Sequence, residues 1–149
     1  MTNPDRITPP RWLKPMNRVL LLVRRVGVMR ELHVLTVPGR RSGKPRRTPL
    51  TVATVGGSRY VVEGFPGADW PRNVRAADGL AELSSGKSIE RVRLVEVDAA
   101  EAKPVLRAWP AQDGDGAKIM LNAGVVEDVT PDAFEKLAGR CAVFRVETA

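Results

Sequence analysis

The residues best suited to chemistry lie in one short, strongly basic segment, Arg40–Arg47, with the sequence R-R-S-G-K-P-R-R. It contains five cationic side chains, one hydroxyl group and one glycine. Guanidinium groups bind phosphate and carboxylate through paired hydrogen bonds, and backbone N–H groups of a glycine-containing turn can surround an anion. The segment therefore predicts a site for phosphate or clustered carboxylates. The alternative is a solvated basic turn between two strands.

The basic charge of the chain is concentrated in its first third. The 149 residues carry a net charge of +7, and residues 1–50 contain 12 Lys and Arg against 2 Asp and Glu. This asymmetry indicates an anionic partner, which is a polyanionic small molecule, a membrane surface or a nucleic acid. Only 5% of the residues are aromatic. Surfaces for stacking bases are therefore scarce, and we expect no nucleic-acid partner.

Other reactive residues lack the partners that their chemistry needs. The stretch 39–44 is one residue too short for a P-loop, and Pro45 stands where a magnesium-binding hydroxyl is required. Cys141 and His33 are the only cysteine and histidine, which excludes an intrachain disulfide and a cysteine-rich zinc site. We expect a buried thiol, a structural histidine, no metal and no catalytic side chain, so that enzyme chemistry would belong to a bound cofactor.

Short strands and turns dominate the remaining pattern. Strands are predicted at 32–37, 47–55, 59–65, 80–84, 88–97 and 141–146, and helices at 16–28, 70–77, 104–109 and 131–139. Turns are predicted at 39–45, 56–58 and 85–87, and Asp69 and Thr130 are predicted to cap the helices that follow them. The glycine-containing stretch 110–124 is predicted to be a mobile loop. Hairpins dominate and long helices do not alternate with strands, which favours an α+β fold with an antiparallel six-stranded barrel and about four short helices.

The N-terminal region offers two interpretations. Residues 1–15 are polar and proline-rich and are predicted to be loosely ordered, so one folded domain is expected over 16–149. The helix predicted at 16–28 has a basic face, and it either packs on the domain or makes a weak peripheral membrane contact. No signal peptide or transmembrane helix is recognisable, so we expect a cytoplasmic location.

A longer combination of motifs is more specific than the basic segment alone. The string L-T-V-P-G-R-R-S-G-K-P-R-R-T-P-L at 35–50 precedes Y-V-V at 60–62 and W-P-R-N-V-R-A at 70–76. In this order and spacing, nearly the whole chain resembles the deazaflavin-dependent nitroreductase family. That family consists of small split β-barrel proteins that use the deazaflavin coenzyme F-420.

The resemblance implies a cofactor site. In that family, the loop matching 40–46 holds the phosphate and the acidic glutamyl tail, the next strand lies beside the deazaflavin ring, and a helix carries a W-x-x-N signature. The residues implied here are, in that order, Arg40, Arg41, Ser42, Gly43, Lys44 and Arg46, then Pro49 and Leu50, then Trp70 and Asn73. From the residues alone, Trp70 as a core anchor and Asn73 as a cap remain equally open.

The resemblance also implies an activity. Reduced coenzyme F-420 would donate a hydride to a small electrophilic acceptor, which is a quinone, an activated enone or a nitroaromatic. The alternative is a non-catalytic carrier of the deazaflavin or of a fatty acid. FMN is less favoured, because five cations exceed what one phosphate needs, and we expect a monomer or weak dimer. The stretch 63–69 is shorter and more acidic than in many members, and a carboxylate there would repel the tail.

Overall fold

The computed structural model describes residues 33–149, which contain seven strands and four helices in an α+β arrangement. In chain order they are β1 (His33–Pro38), β2 (Pro45–Leu50), β3 (Val52–Val55), β4 (Ser58–Val62), α1 (Asp69–Ala76), β5 (Leu80–Ser85), β6 (Ser88–Glu96), α2 (Ala99–Gln112), α3 (Gly114–Asn122), α4 (Pro131–Glu135) and β7 (Val143–Thr148). The predictions for 1–15 and 16–28 lie outside the described residues.

The strand count is seven rather than six because the strand predicted at 47–55 is two strands. β2 ends at Leu50 and β3 begins at Val52, with Thr51 outside both. β2 pairs with β1, whereas β3 neighbours β4. A continuous run of strand-forming residues does not show where the hydrogen-bonding partner changes, so the sequence pattern predicted one strand.

The described residues fall into two compact units. The first contains residues 33–52, 69–95 and 146–149, and the second contains residues 53–68 and 96–145. In the first unit the strands lie in the order β2-β1-β5-β6, and each neighbouring pair is antiparallel. In the second unit, β4 lies between β3 and the first residues of β7.

The core of the first unit is built on β1. Its residues Val34, Leu35 and Val37 are at most 1% exposed. Helix α1 packs on this strand and buries Val74. The hairpin predicted from the turn at 85–87 is present, with Leu80 opposite Arg93 and Ser85 opposite Ser88. The loop at 39–44 therefore directly follows a strand whose apolar side chains are buried in this core.

The core of the second unit is formed by the helices α2, α3 and α4 with β4. Phe134, Leu106 and Leu137 are at most 1% exposed at its centre. Helix α2 packs on both α3 and α4. The phenol of Tyr60 donates to Glu101 at 3.1 Å, which joins β4 to α2 at the edge of this core.

The predicted mobile loop at 110–124 is wrong, because most of it is helix α3. The Asp113 carboxylate accepts from the Gly116 N–H at 2.9 Å and caps the helix. Ala117 and Met120 are buried. Glycine lowers helix propensity and so favoured a loop, but packing of the apolar face overrides it.

The other helix bounds differ from the predictions at their ends. Helix α2 begins at Ala99 because Asp98 caps it, accepting from the Glu101 N–H at 2.9 Å, so Pro104 lies inside the helix. The predicted Thr130 cap of α4 is present, but the helix ends before 139. The closing strand is two residues later than predicted, at 143–148. Within residues 33–149, no helix has the length and apolar character needed to cross a membrane.

Candidate functional site

The basic segment forms a shaped loop between β1 and β2. The Gly39 N–H donates to the Lys44 carbonyl at 2.8 Å, and the Gly43 N–H donates to the Gly39 carbonyl at 2.9 Å. The Ser42 hydroxyl oxygen accepts from the Lys44 N–H at 3.2 Å. Gly43 has a φ of 72°, a left-handed conformation that other residues adopt only with strain. The loop is therefore exposed but locally hydrogen-bonded.

Arg40 joins this loop to helix α1. Its backbone N–H and its Nη1 donate to the same oxygen, Asn73 Oδ1, at 3.1 and 2.9 Å. Its Nη2 lies 3.4 Å from the Asp69 carboxylate. Asp69 and Asn73 are four residues apart and so lie on one face of the helix. Asn73 is only 5% exposed, whereas the Asp69 side chain is 66% exposed, so the ion pair contributes little stability.

Three other cations of the loop have side chains without a partner among residues 33–149. In this range, the side chains of Arg41, Lys44 and Arg46 make no ion pair and no hydrogen bond. In the same range, the backbone N–H groups of Arg41 and Ser42 make no hydrogen bond. Neighbouring like charges repel one another, and unpaired N–H groups favour an acceptor. The loop is therefore equipped to bind an anion.

Arg46 and Arg47 are adjacent in β2 and lie on opposite faces of the strand. Arg46 is opposite Val37 in β1, at the end of the strand pair that is next to the loop. A Cβ atom at Gly39 would lie 3.4 Å from both Cγ and Nε of Arg46. Arg46 therefore lies beside Gly39 of the loop and Arg47 lies on the other face of the strand, and both are exposed.

The predicted ring-facing residues lie at the far end of β2 from the loop. Pro49 is opposite Val34, Leu50 is opposite His33, and both are half-buried. Strand geometry places Leu50 roughly 17 Å from Pro45. Pro49 and Leu50 lie on opposite faces of β2, and Leu50 shares the face of Arg46. One strand thus has cations at its start and an apolar residue on each face at its end, which suits a ligand with an anionic tail and a flat ring.

The two signature residues of α1 differ in role. Trp70 is 8% exposed and is part of the core of the first unit, as expected of an anchor. Asn73 lies within the helix rather than at its end, and its amide oxygen serves the loop instead of capping the helix. From its sequence context, Asp69 was predicted only to cap this helix. Its spacing of four residues from Asn73 was the available signal that both face one partner.

The acidic stretch 63–69 is engaged within the protein. Glu63 is 5% exposed, and its two carboxylate oxygens accept from the backbone N–H groups of Ala68 and Ala142 at 3.1 and 3.0 Å. The expected tail-repelling charge is therefore not Glu63. Asp69 is the acidic residue that lies beside the basic loop, through its ion pair with Arg40.

Cys141 is buried, as predicted. Burial raises the pKa of its thiol to about 12, and the negative charge of Glu63 adds to this effect. The thiol is therefore protonated at neutral pH and is a poor nucleophile. Within residues 33–149, no group of three or more His, Cys, Asp or Glu residues could hold a metal ion.

The first unit also has an open groove of about 520 Å³. Its lining consists of Thr36, Val37, Pro38, Gly43, Pro45, Leu80, Ala81, Glu82, Arg91, Val92 and Ala149. Of the residues predicted to contact the cofactor, Gly43 alone belongs to this lining. The groove and the predicted cofactor contacts are therefore largely different surfaces.

Comparison with known proteins decides the family. Residues 19–115 match the model of the F420H2-dependent quinone reductase family, and this range includes every predicted cofactor contact. The chain belongs to this family. It is therefore an F420-dependent reductase, and its cofactor is the deazaflavin coenzyme F-420, as the resemblance implied.

Two solved structures resemble the structure of this chain, at low sequence identity. The protein Atu2129 of unknown function from Agrobacterium tumefaciens has a TM-score of 0.56 at 17% identity, with 98% of this chain and 59% of that chain covered. A NimC/NimA family protein from Clostridium acetobutylicum has a TM-score of 0.50 at 15% identity, with 92% and 87% covered. Both show a shared fold.

An F420-H2 dependent reductase, FDR-A, is 23% identical with a TM-score of 0.46, and the match covers 79% of this chain and 95% of that chain. No curated protein was found to match the sequence.

Proposed function

We propose that this reductase transfers a hydride from reduced coenzyme F-420 to a quinone, with activated enones and nitroaromatics as further small electrophilic acceptors. The observation that carries the proposal is the loop between β1 and β2. Three of its cationic side chains and two of its backbone N–H groups lack partners among residues 33–149. The phosphate and glutamyl carboxylates of the coenzyme are anions of the kind that such a loop binds.

The proposed contacts fall into two groups. The loop would bind the tail, and the end of β2 would lie beside the ring. The first group is Arg40, Arg41, Ser42, Gly43, Lys44 and Arg46, and the second is Pro49, Leu50 and Trp70. The tenth residue that the resemblance implies, Asn73, makes its hydrogen bonds to Arg40 instead. All nine proposed contacts belong to the first compact unit, which supports a single ligand contacting them.

When bound, the reduced deazaflavin supplies the hydride. The chain's own residues bind the coenzyme and orient its ring. The loop cations hold charge at one end of β2. Pro49 and Leu50 place one apolar side chain on each face of the strand at the other end, beside which a flat ring would lie. Restricting the ring in this way lowers the entropy that must be lost when the acceptor and the ring align. Cys141 takes no part, because its thiol is buried and protonated.

A quinone is the preferred acceptor because the matched family model describes quinone reductases. Hydride transfer to a quinone needs no activated side-chain nucleophile, because the reduced coenzyme supplies the hydride. The same reasoning admits enones and nitroaromatics as slower acceptors.

Two measurements test the proposal. Fluorescence titration should show tighter binding of coenzyme F-420 than of FMN, and equal or tighter FMN binding would contradict the cofactor contacts. Stopped-flow oxidation of the bound, reduced coenzyme should be faster with a quinone than with an enone or a nitroaromatic. If none of the three oxidises it, the chain carries the coenzyme rather than using it.

A further inference from the structure

The amide oxygen of Asn73 is the point at which the basic loop is attached to α1. It accepts two hydrogen bonds from Arg40, one from the backbone N–H at 3.1 Å and one from Nη1 at 2.9 Å. Two donors converging on one oxygen determine the orientation of the amide. Because Asn73 is 5% exposed, loss of this acceptor would leave the loop N–H without a partner next to a buried site.

The other hydrogen bonds of the loop do not attach it to a second element. The bonds between Gly39 and Lys44, between Gly43 and Gly39, and between Lys44 and Ser42 all lie within the loop. They determine its local shape but not its direction relative to α1. The second link to α1 is the exposed pair of Arg40 with Asp69 at 3.4 Å, which solvent screens.

The residues that lack partners follow Arg40 directly in the chain. They are Arg41, with a free side chain and a free N–H within residues 33–149, and Ser42, with a free N–H in that range. Holding the backbone of Arg40 therefore also restricts the position of the next two N–H groups. A small displacement of such donors weakens anion binding because hydrogen bonds depend steeply on angle.

We infer that Asn73 is a positioning residue for the anion-binding loop, acting through Arg40, and that it does not serve as a contact of the deazaflavin ring. The inference rests on the proposed function, in which the tail of coenzyme F-420 is the anion. It replaces the role that the W-x-x-N resemblance implies for Asn73 with one that the hydrogen bonds support.

The test compares two ligands and two substitutions. The ligands are coenzyme F-420 and the same deazaflavin without phosphate and glutamates. Asn73→Ala should weaken binding of the full coenzyme on the order of tenfold and leave binding of the truncated deazaflavin unchanged. Asn73→Asp keeps an oxygen acceptor but adds a negative charge beside Arg40. At high salt, where this charge is screened, it should therefore bind the full coenzyme more tightly than Asn73→Ala. Circular dichroism of each variant establishes that it is folded.

A double-mutant cycle provides the second readout. If Asn73 acts through Arg40, the effects of Arg40→Ala and Asn73→Ala on coenzyme affinity should be non-additive, because both changes remove the hydrogen bond from Arg40 Nη1. The bond from the Arg40 backbone N–H is lost only in Asn73→Ala. Equal losses for both ligands, or additive effects in the cycle, would overturn the inference and indicate ring contact. Failure of the unsubstituted protein to bind coenzyme F-420 would instead overturn the proposed function itself.

Discussion

The buried carboxylate of Glu63 accepts a hydrogen bond from the backbone N–H of Ala142, 79 residues later in the chain, at 3.0 Å. The Glu63 N–H in turn donates to the Ala142 carbonyl at 2.8 Å. The second carboxylate oxygen accepts from the Ala68 N–H at 3.1 Å. One acidic side chain therefore holds together the end of β4, the segment that leads to α1 and the residue that precedes β7.

Glu63→Gln should destabilise the fold on the order of 2 kcal/mol, because a glutamine amide offers one acceptor where two N–H donors converge. Denaturant unfolding measures the loss. Glu127→Gln is the matched control, since Glu127 is exposed and makes no side-chain hydrogen bond or ion pair within residues 33–149. Equal stability of the two variants would show that the Glu63 hydrogen bonds do not support the fold.

Removing the charge of Arg46 should weaken coenzyme binding, whereas removing that of Arg47 should not. The two arginines are adjacent in β2, so their side chains lie on opposite faces of the strand. Of the two, only Arg46 lies against Gly39 of the loop. We expect Arg46→Gln to cost about 1–3 kcal/mol of binding free energy and to reduce its salt dependence. Arg47→Gln carries the same change in net charge and controls for long-range attraction. Equal effects would mean that only the overall field matters.

Asp69→Asn should strengthen coenzyme binding, because Asp69 places a negative charge 3.4 Å from Arg40. A Coulomb interaction of about 1 kcal/mol in water corresponds to about fivefold in affinity at low salt, and the gain should shrink as salt rises. Asp78→Asn is the control, because Asp78 makes a similarly exposed pair with Arg93 at 3.3 Å away from the loop. A gain for both variants would contradict a local effect of Asp69.

The stability of the protein should depend on Cys141 at alkaline pH. The folded thiol has a pKa of about 12 against an ordinary value of 9.0. Its protonated form therefore stabilises the fold fully below pH 9, and this contribution is lost as the pH rises toward 12. The loss should approach 1.4 kcal/mol per pH unit, an order-of-magnitude figure. Unfolding free energies of the natural chain should fall more steeply with pH than those of Cys141→Ala, and parallel slopes would contradict the prediction.

Two glycines of α3 should respond differently to alanine. A Cβ atom at Gly116 would collide with the carboxylate of Asp113, which caps the helix, whereas nothing lies within 4 Å of a Cβ atom at Gly114. Gly116→Ala should therefore lower the unfolding free energy on the order of 1 kcal/mol through loss of the cap. Gly114→Ala should cause no loss, because alanine is favoured over glycine in a helix. Thermal unfolding compares them, and a harmless Gly116→Ala would contradict the steric argument.

Local features of the fold, the family and its cofactor could be predicted from the sequence. The loop at 39–44, the Gly56-Gly57 turn with φ values of 59° and 82°, and the Thr130 cap depend on residues a few positions apart. The family resemblance rested on the order of short motifs, and the family match confirmed it. Strand bounds were close wherever one hairpin partner determined them, as in β5 and β6.

The sequence by itself determined that this protein has a concentrated basic loop, flanking strands and the motifs of an F420-dependent reductase. Only the tertiary structure decided that Arg40 is held by Asn73, 33 residues away, that Glu63 is buried against Ala142, and that the 47–55 strand changes partner. Local charge, turn conformation and helix capping depend on residues that are close together in the sequence. Long-range partners are instead chosen by strand register and core packing, which bring together groups that no local spacing relates.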